Sequence, residues 1–311
     1  MKLHYGLNDF DAQKPVVTIG TFDGVHLGHQ QIISRLQEIA QKRGGETVIF
    51  TFHTHPRLVT APNETNLRLL TTLKEKTKLF EQYGIDHLVV YQFNKAFSEL
   101  SNSEFVENIL VKQMRTHCLV VGYDHKFGKN REGDFDYLQR CATKFNFEIE
   151  KLDVLTVEKD SVSSTKIRHA LENGMIEKAN RYLGYRFTLH GTVVDGKQLG
   201  RKLGFPTANI EASDKHKIIP GYGVYAVKIN IENKVHNGML NIGTRPTFNN
   251  NADNRSIEVN IFDFNDNIYG KEITLEFVGK IRDEQKFDGI ESLVAQLHKD
   301  KKMALNVLSE C

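Results

Sequence analysis

The sequence predicts an α/β domain with a mostly parallel sheet, followed by an antiparallel β-barrel with a terminal helix. Three observations predict this. At 311 residues the chain is longer than one hydrophobic core comfortably organises. From Pro15 to about Gly184, short continuous apolar runs alternate with stretches of helical period, the pattern of a sheet covered on both faces. Beyond Arg186 the runs become β-branched and alternating, with turn-formers between them, and a barrel removes the exposed edges that such strands would leave. The predicted domains are therefore 1–185 and 186–311.

In chain order, the strands of the first domain are predicted at Val16–Ile19, Thr47–Phe52, His87–Phe93, Cys118–Tyr123 and Phe147–Val157. Each is a short apolar run of buried-strand type. Helices are predicted at His29–Arg43, Leu73–Tyr83, Glu104–Met114, Asp134–Phe145, Ser164–Asn173 and Glu177–Leu183. Thr72 with Glu75, and Ser101 with Glu104, have capping-box spacing ahead of apolar periodicity. Gly174 and Gly184 are stop signals for the last two helices. In the second domain Phe187–Val194, Val224–Ile231, Ile257–Phe264 and Ile273–Val278 read as strands, with a hairpin at Ile231-Glu-Asn-Lys-Val-His236. Two terminal helices, Gly289–His298 and Met303–Leu308, complete the prediction.

Charge and cysteine usage narrow the function classes. Forty-one basic against thirty-nine acidic residues give a net charge of +2, and no Lys/Arg stripe is present, which argues against a nucleic-acid footprint. Cys118, Cys141 and Cys311 lack CxxC spacing, so no disulfide framework is expected. No apolar run has signal or membrane-span character. The expectation is a cytoplasmic protein with small-molecule substrates, no nucleic-acid or membrane partner, and a monomeric or weakly homo-oligomeric state.

The densest chemistry lies in Gly20-Thr-Phe-Asp-Gly-Val-His-Leu-Gly-His29, between the first strand and the first helix. A helix start opening from a glycine loop offers unpaired N–H groups and a positive dipole end to an anion. His26 and His29, three apart on one side of the first turn, add donors. A tight turn with surface histidines is the bland alternative, and the packing of three glycines with two histidines favours the phosphate site. Two further segments could complete it. The loop Gly122-Tyr-Asp-His-Lys-Phe-Gly128 carries Asp124 at another strand end. Ser163-Ser-Thr-Lys-Ile-Arg168 offers the hydroxyls of Ser164 and Thr165 at a helix start, with Arg168 one turn on as a bidentate phosphate clamp. Zinc on His26 and His29 fits poorly, because zinc helices place histidines four apart around a glutamate.

Together these segments resemble the nucleotidylyltransferase superfamily, whose mark is His-x-Gly-His, and within it the prokaryotic FAD synthetase module. The departures are Thr54, where a proline usually precedes His55-Pro56, and His125, where an aromatic is common. The resemblance implies a Rossmann-like domain in which an FMN phosphate attacks the α-phosphorus of ATP. It implies His26, His29 and Arg168 on the triphosphate, assisted by Ser164 and Thr165. The Gly20, Phe22, Asp23 and Gly24 stretch and Asp124 would lie along the nucleotide.

In the second domain, Gly196-Lys-Gln-Leu-Gly-Arg-Lys-Leu-Gly204 is basic and glycine-rich but lacks Gly-Lys-Ser/Thr, so it is not a Walker A loop. Gly196 and Gly204 could instead frame a flap over phosphates. Thr207 and Asn209 lie two apart and share a face in extended backbone, offering hard oxygens to Mg²⁺. Glu258 alternates with apolar neighbours in a strand, as either a solvent-face carboxylate or a base aimed into a barrel mouth. With Asn241-Ile-Gly-Thr-Arg-Pro-Thr-Phe248 and Ile281–Phe287, these segments resemble the riboflavin kinase domain. That implies Glu258 as general base, Thr207 and Asn209 as Mg²⁺ ligands, and Asn241, Gly243, Arg245 and Arg282 on the flavin side. The joint expectation is an ATP-using enzyme of riboflavin, FMN and FAD. A nucleotidylyltransferase for another phosphorylated substrate with a regulatory barrel, and a flavin-binding sensor without turnover, are the rivals.

Overall fold

A computed structural model describes the chain apart from residues 62–66, 124, 154, 158–159, 197–199, 201–202, 245–254 and 311, with the backbone alone at 131 and 157. The chain divides into two compact units, Met1–Ser164 and Thr165–Cys311. In the first unit β1 (Lys2–Tyr5), β2 (Val16–Ile19), β3 (Thr47–His53), β4 (His87–Gln92), β5 (Cys118–Gly122) and β6 (Glu148–Leu152) form one sheet. Every pairing in it is parallel, in the order β1-β4-β3-β2-β5-β6. Apart from the edge strand β1, chain order runs outward from β2 in both directions, so β2 and β5 flank the switch point, where ligands of open α/β sheets gather beyond the strand ends.

Alternation along the strands feeds two cores. Val17, Ile19, Val48, Phe50 and Leu119 pack under one layer of helices; Val16, Ile49, Leu88 and Val120 pack under the other. The helices of this unit are α1 (Leu27–Arg43), α2 (Pro56–Thr60), α3 (Leu73–Gln82), α4 (Lys95–Ser98), α5 (Asn102–Glu104) and α6 (Phe135–Phe145). Ile33, Leu36, Ile39 and Ala40 form the buried stripe of α1. Both expected capping boxes are present, at Thr72/Glu75 and Ser101/Glu104. The predicted α-helix at Glu104–Met114 is instead a π-helix, Phe105–Gln113, which buries Phe105, Val106, Ile109 and Leu110. The predicted strand Phe147–Val157 ends at Leu152; β7 (Thr156–Val157) pairs with β8 (Asp160–Ser161) in a separate ribbon. Edge strand β1 lies outside the sequence prediction, because only four residues long and half exposed it carries little apolar signal. Cys118 and Cys141 are buried free thiols, as expected of small hydrophobes, and burial pushes the Cys118 thiol up to about 11.

The second unit opens with α7 (Ser164–Glu172), whose first residue ends the first unit, and α8 (Ile176–Leu183), which Gly184 stops in the left-handed region. Then β9 (Thr188–Val194), β10 (Ala208–Ala212), β11 (Gly223–Ile231), β12 (Lys234–Thr244), β13 (Arg255–Ile261) and β14 (Glu272–Arg282) close an antiparallel barrel in the order β10-β13-β12-β11-β14-β9. The expected hairpin joins β11 to β12, with positive φ at both Glu232 and Asn233. Leu189, Tyr225, Leu240, Ile257, Val259, Leu275 and Phe277 alternate inward and are fully or nearly buried. Their neighbours Val224, Ala226, Met239 and Val278 pack on the outer wall against α9 (Ile290–Ser309). This is one continuous helix rather than the two predicted, since Lys299–Lys302 carries no helix breaker and Ala304 and Leu308 extend its buried stripe.

Candidate active sites

The first candidate site grows from the end of β2. Gly20 is tied to the neighbouring strand by its N–H to Phe50 O (3.1 Å), and the chain then winds through positive φ at Phe22, Gly24 and Val25. Positive φ in a β-branched valine is costly, and such strain persists where the surroundings over-determine it. Here Asp23, 2% exposed, does so. Its Oδ1 accepts from the Leu70 and Thr71 amides at 2.9 and 3.0 Å, while Gly24 N–H donates to Thr71 Oγ1 at 2.9 Å. Ser164 Oγ donates to Asp23 O (2.9 Å), which ties Ser164 to the loop. Phe22 lies beneath, edge-on to His29 and Phe80. Asp23 and Phe22 thus act on the loop's shape.

The loop delivers the chain to α1 with His26 as N-cap, making no side-chain cap bond and with no acidic residue in the first turn. That leaves the positive end of the helix to an anion. The His26 and His29 rings stack, centroids 3.7 Å apart and 14° from parallel. Two imidazoles at that distance resist double protonation. Burial, then His26, then Lys76 hold His29 well below the usual histidine range. Gly28 abuts the His26 ring, which a Cβ would meet at 3.3 Å. Lys76 of α3 belongs to this site and lies outside the sequence prediction: its Nζ donates to Thr21 O at 2.9 Å. Thr165 is exposed and Arg168 half-buried on α7, in the second unit. Asp124 lies outside the described residues. At the departures from the family pattern, Thr54 takes a positive φ of 68° and His125 stacks on Phe127.

The second candidate site lies on the outer wall of the barrel. In register, Asn209 of β10 sits opposite Glu258 of β13, and Glu258 opposite Asn241 of β12. Residues paired this way share a face. Glu258 alternates with the inward Ile257 and Val259. It is half-buried on the face that carries Val224, Met239 and α9. Thr207 Oγ1 lies 3.4 Å from Glu258 Oε2. Three oxygen-bearing side chains, Thr207, Asn209 and Glu258, therefore meet at one place.

Glycines let the backbone close on this group. A Cβ at Gly196 would stand 1.8 Å from Asn209 Nδ2, and one at Gly200 would stand 2.2 Å from Phe205 O and 3.3 Å from Thr207 Oγ1. Leu203 and Phe205 both donate to Gly200 O, and Gly204 turns through a φ of 79°. Gly243 is similarly enclosed, its would-be Cβ 2.7 Å from Glu284 Oε1 and 3.0 Å from Asn241 Nδ2. Arg245 lies outside the described residues. Arg282 is committed to a buried partner: Nε and Nη2 reach the carboxylate of Asp300 on α9 at 2.8–3.1 Å, and Nη1 donates to Asp283 O. Asp300, fully buried and also bound by Gln296 Nε2, was not expected from sequence. Among the described residues no group of three His, Cys, Asp or Glu side chains could hold a metal. The hard oxygens of Thr207 and Asn209 suit Mg²⁺, which takes few protein ligands and completes its shell with water and phosphate.

Comparison with known proteins matches both halves. The family model for FAD synthetase matches residues 9–166, and that for riboflavin kinase matches residues 183–308. Three proteins named bifunctional riboflavin kinase/FMN adenylyltransferase are similar over nearly the whole chain. That of Listeria monocytogenes is 42% identical over 92% of this chain and 90% of its own. That of Bacillus subtilis is 39% identical (96% and 94%), and that of Escherichia coli 36% identical (97% and 96%). A crystal structure named macrolide-efflux protein, from Streptococcus pneumoniae, has the same fold at a TM-score of 0.88 and 30% identity, covering 98% of each chain. Among the described residues no helix here is long and apolar enough to cross a membrane.

Proposed function

The chain belongs to the bifunctional riboflavin kinase/FMN adenylyltransferase family, and on that premise we propose that it runs both reactions at separate sites. Riboflavin and ATP give FMN at the barrel; FMN and ATP then give FAD and pyrophosphate at the parallel sheet. The observation that carries the reading is that two family models match consecutive halves, and each half holds its own constellation of phosphate-handling groups. Functionally the division falls at 1–185 and 186–311.

In adenylylation an FMN phosphate oxygen attacks the α-phosphorus of ATP, the bond to the β-phosphate breaks, and pyrophosphate leaves. No protein nucleophile is required, so the work is positioning and charge stabilisation. His26, His29 and Arg168 act on the triphosphate, with Ser164 and Thr165 assisting. The Gly20–Gly24 loop, held in shape by Asp23, and Asp124 lie along the nucleotide. In phosphorylation Glu258 takes the proton of the ribityl 5′-hydroxyl as that oxygen attacks the γ-phosphorus of ATP. Thr207 and Asn209 would hold Mg²⁺, which when bound neutralises phosphate charge. The backbone at Gly196 and Gly204 covers the phosphates, while Asn241, Gly243 and Arg245 shape the flavin side, with Arg282 fixing α9 beside them. The enzyme works in the cytoplasm on small molecules, as a monomer or weak homo-oligomer, without nucleic-acid or membrane partners.

Incubating the purified protein with riboflavin and Mg-ATP and separating the flavins tests this. FMN and then FAD are expected, and failure of both under varied redox and metal conditions would sink the reading. Glu258→Gln is expected to slow FMN formation by about 10²–10⁴-fold, the usual worth of a general base, while FMN-to-FAD conversion continues. His29→Ala is expected to do the reverse. Loss of both activities in either folded variant would contradict separate sites.

A further inference from the structure

Helix α3 reads Leu73-Lys-Glu-Lys-Thr-Lys-Leu-Phe-Glu-Gln82, with lysines at 74, 76 and 78. Lys74 and Lys78 are exposed, as lysines usually are, whereas Lys76 is 8% exposed and shares the buried stripe with Phe80. Its ammonium has three donors, and one is used, on Thr21 O at 2.9 Å. Among the described residues no carboxylate lies within ion-pair distance of it. Asp23 is close enough to favour its charge, but that carboxylate is held by the Leu70 and Thr71 amides.

Burying an ammonium without an ion pair costs several kcal/mol, and a methionine would fill the same space without that cost. The groups around it explain why a charge is kept there. Thr21 O is a carbonyl in the anion-facing loop, and a carbonyl dipole aimed at a phosphate would repel it. The bond from Lys76 draws that oxygen toward the α3 side of the loop. His29 is close enough to Lys76 for that charge to disfavour its protonation, and the first turn of α1 has no acidic residue. Lys76 thus places a positive charge at the loop in a fixed position that needs no reorganisation when a polyanion arrives.

We propose that Lys76 is a positioning residue for adenylyl transfer, holding the Thr21 carbonyl off the phosphate path and supplying fixed positive charge beneath His26 and His29. The inference rests on the assignment of ATP to the Gly20–His29 loop. It carries a second consequence. His29 enters the free site neutral, and the charge of the triphosphate raises its proton affinity, so nucleotide binding draws a proton from solvent onto the imidazole. The titratable groups that interact with Lys76 are Asp23 on the loop and His29 on α1, with His26 stacked on His29 and Glu75 turned to the Thr72 amide.

The test uses the full chain with Lys76→Met and Lys76→Arg, each checked for folding by circular dichroism and melting. His29→Ala serves as control for the underlying assignment. If wild type makes no FAD, or His29→Ala makes it normally, the assignment of ATP to this loop fails and the proposal with it. If the assignment holds, Lys76→Met is expected to raise KM for ATP at least about tenfold with a smaller change in kcat, the sign of lost binding common to ground and transition states. The same variant should move the His29 titration, followed by NMR of the ring nitrogens, upward toward the ordinary value. Wild-type KM and an unmoved His29 titration in folded Lys76→Met would overturn the proposal. Should Lys76→Met not fold, the wild-type pH profile decides. KM for ATP is expected to rise on the alkaline side below the range of an ordinary lysine, and Lys76→Arg, which keeps its charge there, should abolish that rise. An alkaline limb unchanged by Lys76→Arg overturns it.

Discussion

At the scale of single residues, the first site is governed by where protons are refused. His29 is held well below its ordinary range, and His87, buried beside His4 in a 3.0 Å ring–ring hydrogen bond, is lowered chiefly by burial as well. For each, the unfolded chain binds a proton at a pH where the folded chain does not. Their contribution is therefore fully present above about pH 6.5 and declines as pH falls, until the folded histidines themselves protonate. The melting temperature is expected to drop between pH 7.5 and 5, with a shallower drop in His29→Asn; a slope unchanged by that substitution would count against it. In the second site the sensitive position is Gly196, where any side chain collides with the amide of Asn209. Gly196→Ala is expected to impair FMN formation while leaving FMN-to-FAD conversion intact, as measured by separating the flavins. The glycine–histidine loop was legible as a candidate anion site because residue type and spacing announce it, and Thr207, Asn209 and Glu258 as candidates through the family resemblance. Lys76 and Asp300 were not, although a signal existed. Both are charged residues within buried helical stripes, Lys76 with Phe80 and Asp300 with Ala304 and Leu308. A charge at such a position asks for a partner distant in sequence, and spacing alone does not supply it.

Among the elements, the terminal helix shows how a short-range prediction can be right about composition and wrong about continuity. The polar run at 299–302 reads as a break between two helices. Asp300 fits inside a continuous helix because Arg282 of β14 donates from Nε to Oδ1 and from Nη2 to Oδ2, while Gln296 Nε2 also donates to Oδ1. The pair fixes α9 on the wall that carries Glu258. Breaking one partner of a buried pair leaves an uncompensated charge, usually at a cost of about 3–5 kcal/mol. Arg282→Met is expected to destabilise the second unit by that order in denaturant unfolding, and more than Asp300→Ala, because it strands the fully buried Asp300 carboxylate whereas the partly exposed Arg282 can turn to water. Equal, small losses for both would mean that the pair is not what seats the helix. In α3 the capping box at Thr72 is more modest, with Thr72→Ala expected to cost about 1 kcal/mol. The strands announced themselves wherever burial alternated or ran continuously. Strand β10 did not, because Pro206 and a polar face leave only Ile210 fully buried within it.

For the whole molecule, α7 and α8 raise the question of where one half ends. Ser164, Thr165 and Arg168 read as adenylyl-transfer residues, which assigns the helices to the first domain. Packing places α7 beyond Ser164, and all of α8, with the barrel. Asn180 donates to Phe277 O and accepts from Phe187 N–H, Gly221 donates to Leu171 O, and Glu177 accepts from Lys280 N–H. Ile167, Ala170, Leu171, Ile176, Ala179, Tyr182 and Leu183 are buried. The larger of these side chains contribute roughly 1.5–3 kcal/mol each on burial, a sum comparable to the ~5–15 kcal/mol net stability of a typical domain. A fragment 165–311 is therefore expected to unfold at a distinctly higher denaturant concentration than 186–311. A fragment 1–164 is expected to fold yet fail to adenylylate FMN, since it lacks Thr165 and Arg168. Equal stability of the two barrel fragments would show that the helices add nothing to the barrel. FAD formation by 1–164 would remove Arg168 from the chemistry. If both outcomes hold, α7 serves the barrel by packing while its first turn supplies adenylyl-transfer residues, so neither half can be excised at 164 or 186 without loss to one of the two functions.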